Sequence, residues 1–201
     1  FVGASKFSVR ILSKLVSLEE VEIAGIITTK ETFNISYSKD GVKNVLYAPL
    51  QRWENQGIEV FTMNRNPKDE LLVNKIVGWK PDCFIVAGWY HMVPKIWRDI
   101  APAYGLHASL LPEYSGGAPL VWAMINGENK TGITMFQMDK GVDSGPIVGQ
   151  EIVNINSDET IATLYEKVEE AALILITKYV PMLNSEEFIL RKQDESKRTV
   201  W

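Results

Sequence analysis

His107, inside Gly105-Leu-His-Ala-Ser-Leu-Leu-Pro112, and Asp143, inside Asp139-Lys-Gly-Val-Asp-Ser-Gly-Pro146, are the residues best suited to proton transfer in this chain. A histidine titrates near neutral pH, and a carboxylate beside it favours its charged form; together they suit acyl transfer to an amine. Both lie in turn-rich segments next to runs that read as strands. Taken singly, each has an ordinary alternative. A histidine at a strand end is commonly packed or solvated, and an aspartate before Ser-Gly commonly forms a turn.

To position these two residues the chain must fold as one α/β domain, for which 201 residues with 46% hydrophobic content suffice. Phe1-Val2 reads as a strand and Phe7 to Leu18 as a helix. Val21 to Thr28 reads as the next strand, completing a β-α-β unit. Residues 30 to 48 have no period and read as a loop before a short helix near Leu50 to Asn55. Strands follow at Ile58 to Phe61, Asp82 to Ala87 and Tyr104 to His107, with helices at Pro67 to Val77 and Pro94 to Ile100 between them. Such continuous apolar runs suit a parallel sheet buried on both faces, with ligands beyond the carboxyl ends of its strands. The second half changes character: a helix over Pro119 to Asn126, then alternating strands Thr131 to Met138 and Ile147 to Ile155 flanking the Asp143 loop. A final helix, capped by Asp158, runs to Pro181. The expected architecture is Rossmann-like: an open, mostly parallel sheet with helices on both faces and antiparallel strands added in the second half. Residues 1–184 read as the catalytic domain and 185–201 as a polar linker or the start of a missing C-terminal region. The absence of an initial methionine suggests that the first strand begins upstream.

Composition narrows the chemistry. The single Cys83, in an apolar run, reads as a buried structural thiol without a disulfide partner. With only His91 and His107 besides, a His/Cys zinc site lacks ligands, and no metal is expected in the reaction. No apolar run has membrane-spanning length, and the expected compartment is the cytoplasm. A net charge of −4 without a basic stripe argues against nucleic-acid binding by this domain alone. Gly3-Ala-Ser-Lys-Phe lacks both Gly-x-Gly-x-x-Gly and the P-loop spacing, so it reads as a tight strand-to-helix turn. The sequence carries no signal for oligomeric state.

The run His107-Ala-Ser-Leu-Leu-Pro-Glu-Tyr-Ser-Gly-Gly-Ala-Pro-Leu-Val-Trp122, followed by Ile125-Asn-Gly-Glu128, Thr131-Gly-Ile-Thr134 and Met138 to Ile147, closely resembles the 10-formyltetrahydrofolate-dependent formyltransferase family. The resemblance extends from Phe1 to about Pro181 and is nearest to the methionyl-tRNA branch, through Phe-Val-Gly-Ala-Ser-Lys-Phe-Ser at the start and Ser-Leu-Leu-Pro before Gly-Gly-Ala-Pro. It implies the formyltransferase fold and a formyl-folate cosubstrate. It also implies catalytic roles for His107 and Asp143. Trp89, His91, Met92, Val93 and Pro94 match the loop around the pterin, Asp139, Gly141 and Val142 the second folate loop, and Ser109, Leu110, Leu111 and Pro112 border the same site. His91 reads as a pocket wall. Trp89 and Tyr90 could stack on the pterin or pack in the core, and Trp122 reads as packing.

Three departures qualify what the resemblance implies. Gly105 stands where the family has an asparagine that helps stabilise the oxyanion, a contribution worth roughly 3–4 kcal/mol in comparable sites. Ser115 replaces an arginine of the methionyl-tRNA branch. The segment 29–48 balances Lys30, Lys39 and Lys43 with Glu31 and Asp40, unlike a basic loop gripping a tRNA acceptor stem. The expected acceptor is methionyl-tRNA. An amino-sugar nucleotide is the first alternative, and a folate-binding or formyltetrahydrofolate-hydrolysing protein the second.

Overall fold

The computed structural model describes residues 1–35, 38–64, 66–185 and 188–201, with the side chains of 34, 35 and 38–40 outside the description. The chain forms two compact units, Phe1–Ala103 and Tyr104–Trp201.

In the first unit, β1 (Ile26–Thr29) is buried at every position, as expected of a strand covered on both faces. It runs parallel to β4 (Val60–Met63), and Val2 bridges in parallel to Ile27 on one side and Val86 of β5 (Phe84–Val86) on the other. The order is therefore β4, β1, Val2, β5. Helix α1 (Lys6–Val16) starts where Ser5 accepts from the Ser8 N–H, while Ser8 Oγ accepts from the Ser5 N–H, a reciprocal cap. Its apolar face buries Ile11, Leu12 and Leu15, and Leu12 joins Ile26, Leu50 and Trp53 in a core cluster.

Several expectations change here. The segment read as a loop contains an antiparallel ribbon, β2 (Thr32–Ile35) with β3 (Ser38–Lys43), paired at Thr32 with Lys43 and at Phe33 with Val42. Phe33 of this ribbon is buried, and Phe33, Ile35 and Tyr37 alternate with polar residues as in a strand, but the turn-forming Asn34, Asp40 and Gly41 among them favour a loop reading. Lys43 pairs with Glu31 at 3.3 Å, whereas the Lys39 and Asp40 side chains lie outside the described residues. The strand expected from Val21 begins only at Ile26, because α1 unwinds through turns in which the Val21 N–H donates to Leu18 O. The helix near Leu50 is a 3-10 turn, Gln51–Gln56. Helix α2 (Glu70–Trp79) is started by Asp69, which accepts from the N–H groups of Leu71 and Leu72, rather than at Pro67. The short α3 spans Lys95–Arg98. Cys83 is only partly buried, and burial pushes its thiol up to about 11.

The second unit is antiparallel. Tyr104 to His107 of β6 (Ala103–His107) pair with Gln137 to Thr134 of β7 (Lys130–Gln137), and β7 pairs with β8 (Ile147–Asn154), with a register shift between Met135 and Phe136. Helix α4 (Pro119–Ile125) and helix α5 (Ile161–Tyr179) pack together, and α5 covers β7 and β8 with Leu164, Val168, Ala172, Leu175 and Ile176 buried. The cap of α5 is Thr160, not Asp158: Thr160 and Thr163 exchange hydroxyl and N–H hydrogen bonds. Within 188–201, Arg191 and Ile147 exchange both main-chain hydrogen bonds, at 2.7 and 2.9 Å. Further on, Val200 bridges to Ser115 in parallel. No helix of the described residues is long and apolar enough to cross a membrane.

Candidate active site

His107 is the last residue of β6, and Asp143 lies in the loop from β7 to β8. The antiparallel pairing sets His107 opposite Thr134, three residues before β7 ends at Gln137, so the β7–β8 loop folds back along the strand to bring Asp143 to the histidine. Nδ1 of His107 lies 3.5 Å from Oδ2 of Asp143, and both side chains are mostly buried, at 11% and 16% exposure. Nε2 of His107 lies 2.8 Å from the carbonyl oxygen of Tyr114. Nε2 thus faces a carbonyl that can only accept, and Nδ1 faces the carboxylate.

Asp143 is held on several sides. Its Oδ2 also accepts the Gly116 N–H at 2.9 Å, and its own carbonyl accepts from Gln193 Nε2 at 2.8 Å. Its φ of 51° is a left-handed conformation costing about 1–2 kcal/mol for a residue with a Cβ. A charge-assisted bond of about 1.5–3 kcal/mol, with a neutral one of about 1 kcal/mol, offsets that cost. The rest of the loop is equally fixed. Asp139 Oδ1 accepts from the Gly141 N–H and the Ser144 hydroxyl, each at 2.8 Å, so this carboxylate shapes the loop. A Cβ on Gly145 would lie 1.7 Å from Gln137 O, a close approach that only glycine permits. Val142 is exposed on the same loop.

The turn leaving β6 is stapled to the sheet. The Ser109 hydroxyl donates to Glu113 O, Thr134 Oγ1 donates to Ser109 O and accepts the Leu111 N–H, and Gln150 donates to Leu111 O. Leu111 and Pro112 are buried there, with Leu110 half-buried. A groove of about 760 Å³ is lined by Leu110, Leu111, Pro112, Gln150 and Gln193 among others, but by neither His107 nor Asp143.

Gly105 has a structural explanation. It faces Phe136 across the β6–β7 pair, and a Cβ there would lie 3.1 Å from Phe136 Cε1 and 3.4 Å from Met138 Cγ. The aromatic ring uses the space that a larger residue at 105 would need. Ser115 is buried, its hydroxyl donating to Pro112 O.

In the first unit, Trp89, His91, Met92, Val93 and Pro94 follow β5, with Val93 buried and Met92 exposed. The ring of His91 packs against Phe33 and edge-on against Trp89, at 4.9 and 5.2 Å between centroids. Burial lowers the His91 pKa below the usual histidine value, so its ring is kept neutral. Trp89 Nε1 and His91 Nε2 are buried without a hydrogen-bond partner among the described residues.

Comparison with known proteins decides the family: residues 2–180 match the formyl transferase family. The chain belongs to that family. The chain is 32% identical to the methionyl-tRNA formyltransferase of Bacillus licheniformis and 35% identical to that of Bacillus cytotoxicus, over 99% of its own length in both cases. It spans 62% of the length of each of these relatives. Among solved structures it resembles the N-formyltransferase of Helicobacter canadensis in complex with folinic acid and dTDP-3-aminofucose (TM-score 0.71, 20% identity, 100% of this chain and 68% of that one). It also resembles the phosphoribosylglycinamide formyltransferase of Bacillus halodurans (TM-score 0.71, 23% identity, 92% and 94% of the two chains). At those identities the likeness establishes the formyltransferase fold. The partners of the pair that the sequence does not signal are the Tyr114 carbonyl, the Gly116 N–H and the Gln193 amide. The first two are main-chain groups without a sequence signature, and Gln193 sits in an unremarkably polar stretch.

Proposed function

We propose that this chain carries the catalytic site of an enzyme transferring a formyl group from 10-formyltetrahydrofolate to the amine of methionyl-tRNA, in the cytoplasm. The supporting observation is the buried His107–Asp143 pair in a chain whose relatives, 32–35% identical over 99% of its length, are methionyl-tRNA formyltransferases. The residues present fit a folate: the unpartnered ring nitrogens of Trp89 and His91 suit a polar heterocycle, and Met92, Val93 and Pro94 supply apolar walls. In the second unit, Asp139, Gly141 and Val142 and the Ser109 to Pro112 turn are assigned to folate binding by their resemblance to the family. When bound, 10-formyltetrahydrofolate supplies the activated formyl carbon.

His107 acts as the proton donor. Asp143 keeps the ring oriented, so that a proton is presented to the oxygen on which negative charge builds as the amine adds. His107 then passes a proton to the departing nitrogen, and Asp143 receives the proton of the amine through water. In the ligand-free geometry Nε2 faces the Tyr114 carbonyl, so the reacting oxygen must compete with that carbonyl for the ring proton.

The test is formyl transfer with methionyl-tRNA, amino-sugar nucleotides or buffer alone as acceptor. Turnover that requires methionyl-tRNA and disappears in His107→Ala is expected. Turnover with a sugar nucleotide alone would select the second reading, which Ser115 at the arginine position favours. Formate release without any acceptor would instead make the protein a hydrolase.

A further inference from the structure

We propose that Gln193 is a positioning residue of the formyl-transfer site, holding the Asp143 turn from beneath through its amide. The inference rests on the reading that the His107–Asp143 pair carries the reaction. Gln193 is 5% exposed, and its Nε2 donates to both the Asp143 carbonyl, at 2.8 Å, and the Gly145 carbonyl, at 2.7 Å. Both partners can only accept, so the nitrogen must face them and the opposite amide orientation is excluded. The clamp spans the residue whose left-handed backbone aims the carboxylate, and Asp143 Oδ2 is the atom nearest His107 Nδ1.

Two further features set Gln193 apart from ordinary packing. Its Oε1 is buried without a hydrogen-bond partner among the described residues, an arrangement that a position selected for stability alone would avoid by carrying an apolar side chain. Its backbone is also anchored independently of the loop it clamps. Two residues earlier, Arg191 exchanges both main-chain hydrogen bonds with Ile147 at the start of β8. The amide is thus mounted on the sheet and reaches across to the turn, which is the geometry of a brace.

The experiment compares wild type, Gln193→Leu, Gln193→Glu, Asp143→Asn and the Gln193→Leu/Asp143→Asn double variant of the intact chain, with folding checked by circular dichroism. An ionised glutamate cannot donate to the two carbonyls, so both Gln193 variants should lose kcat by on the order of 10–100-fold, with KM for the folate little changed. The double variant should be no slower than Asp143→Asn, because Gln193 acts through Asp143. Losses that multiply, or a Gln193→Glu variant as fast as wild type, would overturn the proposal. A second readout needs no turnover. In ring-15N histidine NMR spectra, Gln193→Leu and Gln193→Glu should move the His107 signals in the same direction as Asp143→Asn, leaving those of His91 in place. If wild type transfers nothing, the formyl-transfer reading fails and these signals alone decide the positioning role; unmoved His107 signals reject it.

Discussion

At the scale of residues, Gly105 and Phe136 form one packing unit. The ring of Phe136 is 3% exposed and lies within 3.1 Å of where a Cβ at 105 would sit. Gly105→Asn should therefore destabilise the fold by about 1–3 kcal/mol through overpacking and give no gain in transfer rate. Shortening the neighbour as well, in Gly105→Asn/Phe136→Val, should recover part of the stability. Urea unfolding and turnover of the two variants check this; a faster Gly105→Asn enzyme of unchanged stability would show that the space was free. The same pair explains why the position cannot be interpreted from its own letter. Its occupant depends on a residue about thirty positions later, brought opposite only by β-pairing.

Among the elements, α5 shows a stability effect separable from chemistry. Thr160 and Thr163 satisfy each other's N–H groups at its start, so Thr160→Ala should cost about 1 kcal/mol in urea unfolding. Transfer per folded molecule should stay unchanged, because α5 contributes no residue to the candidate site. Sequence periodicity exposed this helix through Leu164, Val168 and Leu175, yet it placed the cap two residues early, since Asp158 is as good a capping type as Thr160 and only the observed hydrogen bonds distinguish them. The strands β7 and β8 and the loop between them were legible for the same reason: long alternating runs bounded by glycine and proline. The β2–β3 ribbon was not, because its short alternation of Phe33, Ile35 and Tyr37 lies among the turn-forming Asn34, Asp40 and Gly41. His107 and Asp143 were legible as residue types in a family pattern, whereas the groups that hold them belong to the main chain or to distant sequence.

For the whole molecule, His91 ties stability to pH. Burial lowers its pKa below the ordinary 6.5, so the unfolded chain takes up a proton before the folded one does. The contribution of His91 to stability is present above pH 6.5 and is lost as the pH falls through its lowered value in the fold. Thermal melts between about pH 7 and pH 5 should show declining stability, and His91→Gln should flatten that decline; an equally steep decline in the variant would place its origin elsewhere.

The segment 188–201 has a practical consequence at the same scale. A fragment cut at Val180 would retain every residue of the family match, including His107 and Asp143, and still lose the Gln193 amide under Asp143. It would also lose the Arg191 partner of Ile147 and the Thr199 to Trp201 strand that hydrogen-bonds along Pro112 to Gly117. The span matched by the family model and the span that holds the histidine–aspartate pair in place are different lengths of chain, and excising the first would free both loops that meet at the histidine.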